Sequence, residues 1–258
     1  MTAGTTISEA LSTVAFYVFG KALLRTFTGS KPDPRGWGFE TYFSAWLHQL
    51  ATIVFAALLV ASHAESLDAW LVGPWTTRGE SQRPERLFLL MQATEMATDM
   101  CRDHIYPGFG RTYLYHHVAT LCAAVAALFL AVPVGGVILF AACMEAGGMV
   151  LNTVSLYPPA MAAWRRTMHA PGRAGARSQA KPPSWLLDMR ALCFSSSRVM
   201  AALVLGKTTL AAMAFDSPPW IALAFAWAIL AVNVSWVVAL LKAFGKGSSS
   251  KGDAAFVE

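Results

Sequence analysis

Charge is what this sequence has least of. Asp, Glu, Lys and Arg make up 14% of its 258 residues, against 55% hydrophobic, where a water-soluble domain of this size carries about 25% charged residues. That scarcity excludes an ordinary soluble globule and makes the bilayer the solvent. Cysteine is scarce as well. Cys101, Cys122, Cys143 and Cys193 lie in or beside apolar runs without a CxxC spacing, so neither a disulfide framework nor a metal site is expected. The opening MTAGTTISEAL has no basic n-region and no small-residue cleavage site, so no removable signal peptide is expected there. Lys and Arg outnumber Asp and Glu by 20 to 15, but they sit in short segments between apolar runs and form no basic face, which excludes nucleic acid as a partner. There is no internal repeat, and the terminal AAFVE is no retention signal.

Long apolar runs are what the chain has instead. A bilayer core of about 30 Å takes roughly 20 apolar residues per helix. Seven candidate runs stand near that length, at about 7–24, 41–63, 86–102, 112–132, 134–157, 185–207 and 218–241, the first and third of them short or polar. The expectation is an all-α, polytopic transmembrane bundle of about seven helices, or six if Pro133 lies inside one long helix. The AVPVGG between the fourth and fifth runs reads as a tight turn that makes those two helices antiparallel neighbours.

Orientation follows from the basic residues, which favour the cytosolic side. Fourteen of them follow the first, third, fifth and seventh runs, against Arg78, Arg83, Arg86 and Lys207 on the other side. That places the N-terminus lumenal or outside and the C-terminus in the cytosol. Residues 1–40 then form the first helix and a basic cytosolic loop, 41–242 the main transmembrane domain, and 243–258 a disordered cytosolic tail. Residues 158–184, rich in Pro, Ala, Gly and Arg, read as a mobile cytosolic loop whose basic residues meet anionic lipid headgroups.

A charged side chain at the bilayer centre costs at least about 2.5–3.5 kcal/mol on insertion scales, so each needs a partner, a cavity or a function. Gln92, Glu95 and Asp99 share one helical face, as do Glu145 and Asn152, with Gly148 between them for close backbone approach. Arg198 sits mid-helix on a face with Phe194 and Arg190, while Trp46, His48, Gln49, Thr52, Asn233 and Trp236 are offered by other runs. The adjacent His116 and His117 point about 100° apart on a helix and so cannot share one metal ion. One faces a pocket and the other a neighbouring helix. Simpler accounts stand beside these: the histidines as interfacial residues next to Tyr113 and Tyr115, Glu145 and Arg198 as a structural ion pair, Asp99 paired with Arg102. Taken together, polar groups from five helices at similar depth point to a shared pocket open toward the cytosol.

In order along the chain, Trp46, MATDM with Asp99, YHHVATL with His116 and His117, MEAGGMVLN with Glu145 and Asn152, CFSSSRV with Phe194 and Arg198, and NVSW with Asn233 and Trp236 resemble the TLC domain. That is the family of translocating-chain-associating membrane proteins, ceramide synthases and smaller lipid-homeostasis proteins. The resemblance covers roughly residues 40–242. It implies an endomembrane helical bundle around a cavity, in the endoplasmic reticulum or a related membrane. In the ceramide synthase branch, paired histidines serve transfer of an acyl group from coenzyme A to a sphingoid amine. The His- and Asp-rich second motif of that branch is absent after YHHVATL, which sets the chain nearer the small TLC-domain proteins.

Three readings follow. The first is a protein that binds or senses membrane lipid, sphingolipid or fatty acyl species, through a pocket of Trp46, Gln49, Glu95, Asp99, His116, His117, Glu145, Asn152, Arg198, Asn233 and Trp236, with no cofactor and no metal. The second is an acyltransferase in which His116 or His117 is the general base, Asp99 orients it, and acyl-coenzyme A is the substrate. The third is an assembly or cargo factor that binds other transmembrane helices.

Overall fold

The computed structural model describes residues 3–28, 39–75, 82–105, 111–168 and 183–245, and among them the chain is helical apart from short connections and one isolated bridge pair. Seven long helices coincide with the seven apolar runs: α1 (Ala3–Thr28), α2 (Phe39–Ser62), α4 (Arg83–Ile105), α5 (Arg111–Phe129), α6 (Val134–Met168), α7 (Ser184–Ala212) and α8 (Trp220–Gly245). A short α3 (Leu67–Val72) follows α2. Five of these, α2, α5, α6, α7 and α8, are long and apolar enough to cross a membrane. The chain is therefore a multi-pass membrane protein.

The two remaining long helices differ for physical reasons. In α1 the apolar stretch is only Leu11–Gly20. α4 carries Glu85, Arg86, Gln92, Glu95 and Asp99, all buried, beside the equally buried Phe88 and Leu89. A helix covered by protein need not match lipid, so its polar groups meet other side chains instead.

α5 packs between α4 and α8, α7 between α8 and α6, and α6 reaches through α2 back to α4. The result is a ring of six helices, with α1 outside it on α4 and α2. This corrects one expectation. α5 and α6 are joined by a short turn, yet among the described residues they do not pack along each other, because α8 inserts beside α5 and α7 beside α6. The AVPVGG segment also divides differently: Gly135 and Gly136 belong to the first turn of α6. A Cβ on Gly136 would collide with Thr208 of α7, and one on Gly135 with the Trp70 ring. Close approach, not a turn, is what these glycines serve, as small residues do in membrane helix packing.

The segment 158–184 is corrected in part. Residues 158–168 continue α6 as helix through Pro158 and Pro159. The Ala- and Met-rich stretch Ala160–Ala163 is a good helix former, and it outweighs two missing amide donors. Residues 169–182 and 246–258, with the headgroup-binding loop and tail expected there, lie outside the described residues.

At one end of the ring the backbones of Trp75 and Val132 exchange two hydrogen bonds, of 2.9 and 3.1 Å, clamping the segment after α3 to the α5–α6 turn. Glu9 at the start of α1 meets Arg83 and Arg86 at the start of α4, each at 3.0 Å. Glu85 accepts from His63 at 2.7 Å and from Trp70 at 3.1 Å.

Candidate functional site

The centre of the site is Arg198 on α7, 6% exposed. One turn earlier Phe194 places its ring beneath the guanidinium, 3.9 Å away. Arg198 Nε and Nη2 donate to Asn233 Oδ1 of α8 at 3.0 and 2.8 Å, and Nη1 donates to the Met144 carbonyl of α6 at 2.6 Å and to Ser197 Oγ at 2.9 Å. The approach to α6 depends on Gly147, where a Cβ would strike both Ser197 and Arg198.

Arginine only donates hydrogen bonds, so the network has one polarity. With Oδ1 held by Arg198, the Asn233 amide nitrogen faces the Ile229 carbonyl at 2.9 Å and His116 Nδ1 at 3.3 Å. His116 Nδ1 therefore accepts, and its ring hydrogen sits on Nε2. The ring also lies 5.5 Å from that of Trp236.

His117 turns elsewhere: its ring is at 82° to that of His116. Its Nδ1 faces the Tyr113 carbonyl at 3.0 Å and its Nε2 faces Asp99 Oδ2 of α4 at 3.5 Å. A carbonyl only accepts, so Nδ1 carries a hydrogen. Its Nε2 thus makes a close polar contact with the Asp99 carboxylate, both side chains being buried. Tyr113 stacks its ring 4.2 Å from that of His117 and 6.1 Å from that of Trp236. Asp99, His116, His117, Arg198, Asn233 and Trp236 are thus brought into one cluster. The side chain of Arg102 lies outside the described residues.

A neighbouring group lies on the α2–α6 seam. Asn152 donates to Gln49 Oε1 at 2.9 Å and Trp46 donates to Thr153 Oγ1 at 3.1 Å. Gly148 makes room for Gln49 there. Glu145, half-buried on α6, makes no direct ion pair with Arg198 among the described residues, in contrast to the simple account of the pair; Arg198 spends its donors on Asn233, Ser197 and a carbonyl instead. Glu145, Glu95 and Asp99 all lie within electrostatic reach of Tyr17 on α1.

Tyr17 escaped notice in the sequence because a tyrosine in an apolar helix looks like any aromatic filler. Its hydroxyl hydrogen-bonds His48 Nδ1 at 2.5 Å, while His48 Nε2 lies 3.4 Å from Thr52 Oγ1 and 3.3 Å from Gln92 Nε2. Gln92 also donates to Thr52 at 2.7 Å. Also unforeseen was the Glu85–His63–Trp70 group at the other end, where the His63 and Trp70 rings stack 4.9 Å apart.

One turn along the helices from the polar cluster lies an apolar slot of about 60 Å³. Gln92 and Thr120 are its polar lining residues; the rest of the wall is apolar, six alanines among larger side chains such as Phe88, Phe140 and Leu205. The register of three helices joins slot and cluster. Thr120 is one turn from His116, Ile229 one turn from Asn233, and Gln92 one turn from Glu95 and two from Asp99.

No protein-family model, curated protein or solved structure matches this chain. Among the described residues, no group of three His, Cys, Asp or Glu is placed to hold a metal ion.

Proposed function

We propose that this protein binds or senses one amphipathic membrane lipid inside its helical ring and through it takes part in lipid homeostasis or trafficking. One observation carries the reading: on α4, α5 and α8 the slot-lining residues Gln92, Thr120 and Ile229 stand one or two turns from Asp99, His116 and Asn233, so that the polar cluster adjoins an apolar slot. An amphiphile has the same order of chemistry, and a site needs apolar walls with a few convergent polar groups to hold it. The basic-residue asymmetry supports a polar mouth on the cytosolic side. The resemblance to small TLC-domain proteins supports the same reading, with the endoplasmic reticulum as the membrane and sphingolipid or fatty acyl species as the lipid class.

Lipid extracted with the purified protein and measured by mass spectrometry tests it. His116→Ala and Glu145→Gln are expected to lose a lipid that the unaltered chain retains, with the same elution volume in detergent. Equal lipid content in all three proteins overturns the reading.

The His117–Asp99 contact favours acyl transfer from coenzyme A as a second reading, because a buried imidazole facing a carboxylate is the arrangement of an oriented general base. Labelled acyl-coenzyme A with long-chain bases would yield an amide that His117→Ala abolishes; product equal to that of the variant removes it.

A further inference from the structure

Resting on the lipid-binding reading above, we infer that α1 is a lateral gate over the seam between α2 and α4, pivoted at Glu9 and latched by Tyr17 on His48. A membrane lipid passes sideways through it between the bilayer and the polar cluster. The ring is thinnest at that seam: α4 packs closely on α5 and on α1 but only lightly on α2 and α6. α1 straddles the seam from outside, touching both α2 and α4. Tyr17 looks through it. Its hydroxyl bonds His48 of α2, its ring lies 5.6 Å from that imidazole, and Glu95 and Asp99 of α4 and Glu145 of α6 all lie within its electrostatic reach.

What holds α1 in place is polar rather than apolar. Among its described side chains from residue 8 to residue 20, those not exposed are Glu9, Thr13 and Tyr17, one per turn along a single face. Thr13 Oγ1 bonds back to the Glu9 carbonyl at 2.8 Å. The ring is met by Glu9, paired with Arg83 and Arg86, and by Tyr17 about 12 Å further along the helix. Leu11, Phe16 and Phe19 are exposed, and lipid suits them equally whether α1 is docked or swung away. Helix association in a bilayer rests on packing and hydrogen bonds, so with little packing the Tyr17 bond decides the docked position. Two charge-assisted contacts hold Glu9 more firmly than one hydrogen bond holds Tyr17, which makes the Glu9 end the pivot. The latch plate stays put when Tyr17 leaves, because His48 Nε2 faces Thr52 on its own helix and Gln92 on α4. Gln92 also donates to Thr52 at 2.7 Å and ties α2 to α4 at that level. The opening therefore falls beyond Gln92, at Glu95 and Asp99, one and two turns further along α4.

Dicyclohexylcarbodiimide, a bilayer-soluble reagent that adds to carboxyl groups, serves as the probe of that route. The purified full-length chain in phosphatidylcholine vesicles is treated with it, and modified residues are located by peptide mass spectrometry. Modification of Glu95, Asp99 and Glu145 is measured against that of Glu65, which is exposed. Tyr17→Phe keeps the ring and removes the latch. It is expected to speed modification of the three carboxyls about fivefold, the weight of one net hydrogen bond in a two-state equilibrium. Phe16→Leu, on the exposed face, is expected to leave the rate unchanged. Tyr17→Cys with His48→Cys, in a chain whose four native cysteines are replaced by alanine, should be modified rapidly until a bifunctional thiol reagent bridges the pair, and slowly afterwards. Modification no faster in Tyr17→Phe than in the unaltered chain, or unslowed by the bridge, overturns the gate. So does a failure to modify any of the three carboxyls in any of the proteins. No bound lipid is read in this experiment, so loss of the gate leaves the lipid-binding reading standing, and the lipid contents of His116→Ala and Glu145→Gln judge that reading separately.

Discussion

Asn233 stands between Arg198 and His116, accepting two hydrogen bonds from the guanidinium through one atom and donating toward the imidazole through another. Because arginine cannot accept, this small amide converts a buried positive charge into a fixed orientation for a neutral histidine.

Asn233→Leu would take from a buried guanidinium the one acceptor that receives two of its hydrogen bonds. We expect a loss of about 3 kcal/mol, read as a fall in melting temperature of roughly 5–10 °C for a chain of this size. Asn233→Asp restores the acceptor but not the donor toward His116. It should keep the melting temperature while changing lipid retention; equal loss of stability in both variants would argue against the relay.

Gly147→Ala places a methyl against Ser197 and Arg198, whereas Gly20→Ala and Gly206→Ala meet nothing within 4 Å. The first should destabilise by about 1–3 kcal/mol, as overpacking does. The other two are expected within about 0.5 kcal/mol of the unaltered protein. Thermal unfolding in one detergent compares all three.

Glu9, ahead of the apolar stretch of α1, has its carboxyl held below the usual range, first by its hydrogen bond with Arg86 and further by the charges of Arg86 and Arg83. A carboxylate whose folded-state pKa is lowered adds stability above its unfolded pKa and loses it as pH falls through the folded value. The join of α1 to α4 should therefore weaken below about pH 4.5. Glu9→Gln should remove that pH dependence and lower stability at neutral pH; an unchanged acid limb in the melting curves would rule Glu9 out as its source.

Cys101 is exposed near the end of α4, and Glu65 is exposed beyond the opposite end of α2. If the basic segments are cytosolic, as proposed, an impermeant maleimide should reach Cys101 only from the cytosolic face of sealed vesicles. A Glu65→Cys probe should be reached only from the other face. Reversed labelling would invert the topology.

Five of the seven long helices were legible because each sets a run of about twenty apolar residues against protein or lipid, a signal that survives any arrangement of neighbours. Arg198, Asn233 and His116 stood out for the same reason, as polar exceptions to such runs. Their pairing did not. Glu145 and Arg198 share a depth, but which donor meets which acceptor depends on rotamers and on Gly147, and neither is written in the spacing. Ring order was hidden too: AVPVGG suggested that α5 and α6 are neighbours, and only the insertion of α8 beside α5 explains why they are not. The end of α6 was missed because Pro158 and Pro159 outvoted the alanines that follow. Glu85 and His63 were overlooked because they sit at helix ends, where polar residues draw no attention.

The insertion of α8 also orders events during synthesis. The wall between α5 and α7 is made by the ring helix that leaves the ribosome after all the others, so until Trp220–Gly245 is in place the nascent bundle is an open crescent. Through that interval Arg198 lacks Asn233, and the slot lacks the wall that Ala222, Leu223, Ala226 and Ile229 supply. Quality control that senses a charged residue in lipid would see every chain stalled before α8 as unfinished. Pulse-chase of a chain ending before Trp220 should show rapid turnover, and Arg198→Leu in that truncated chain should slow it.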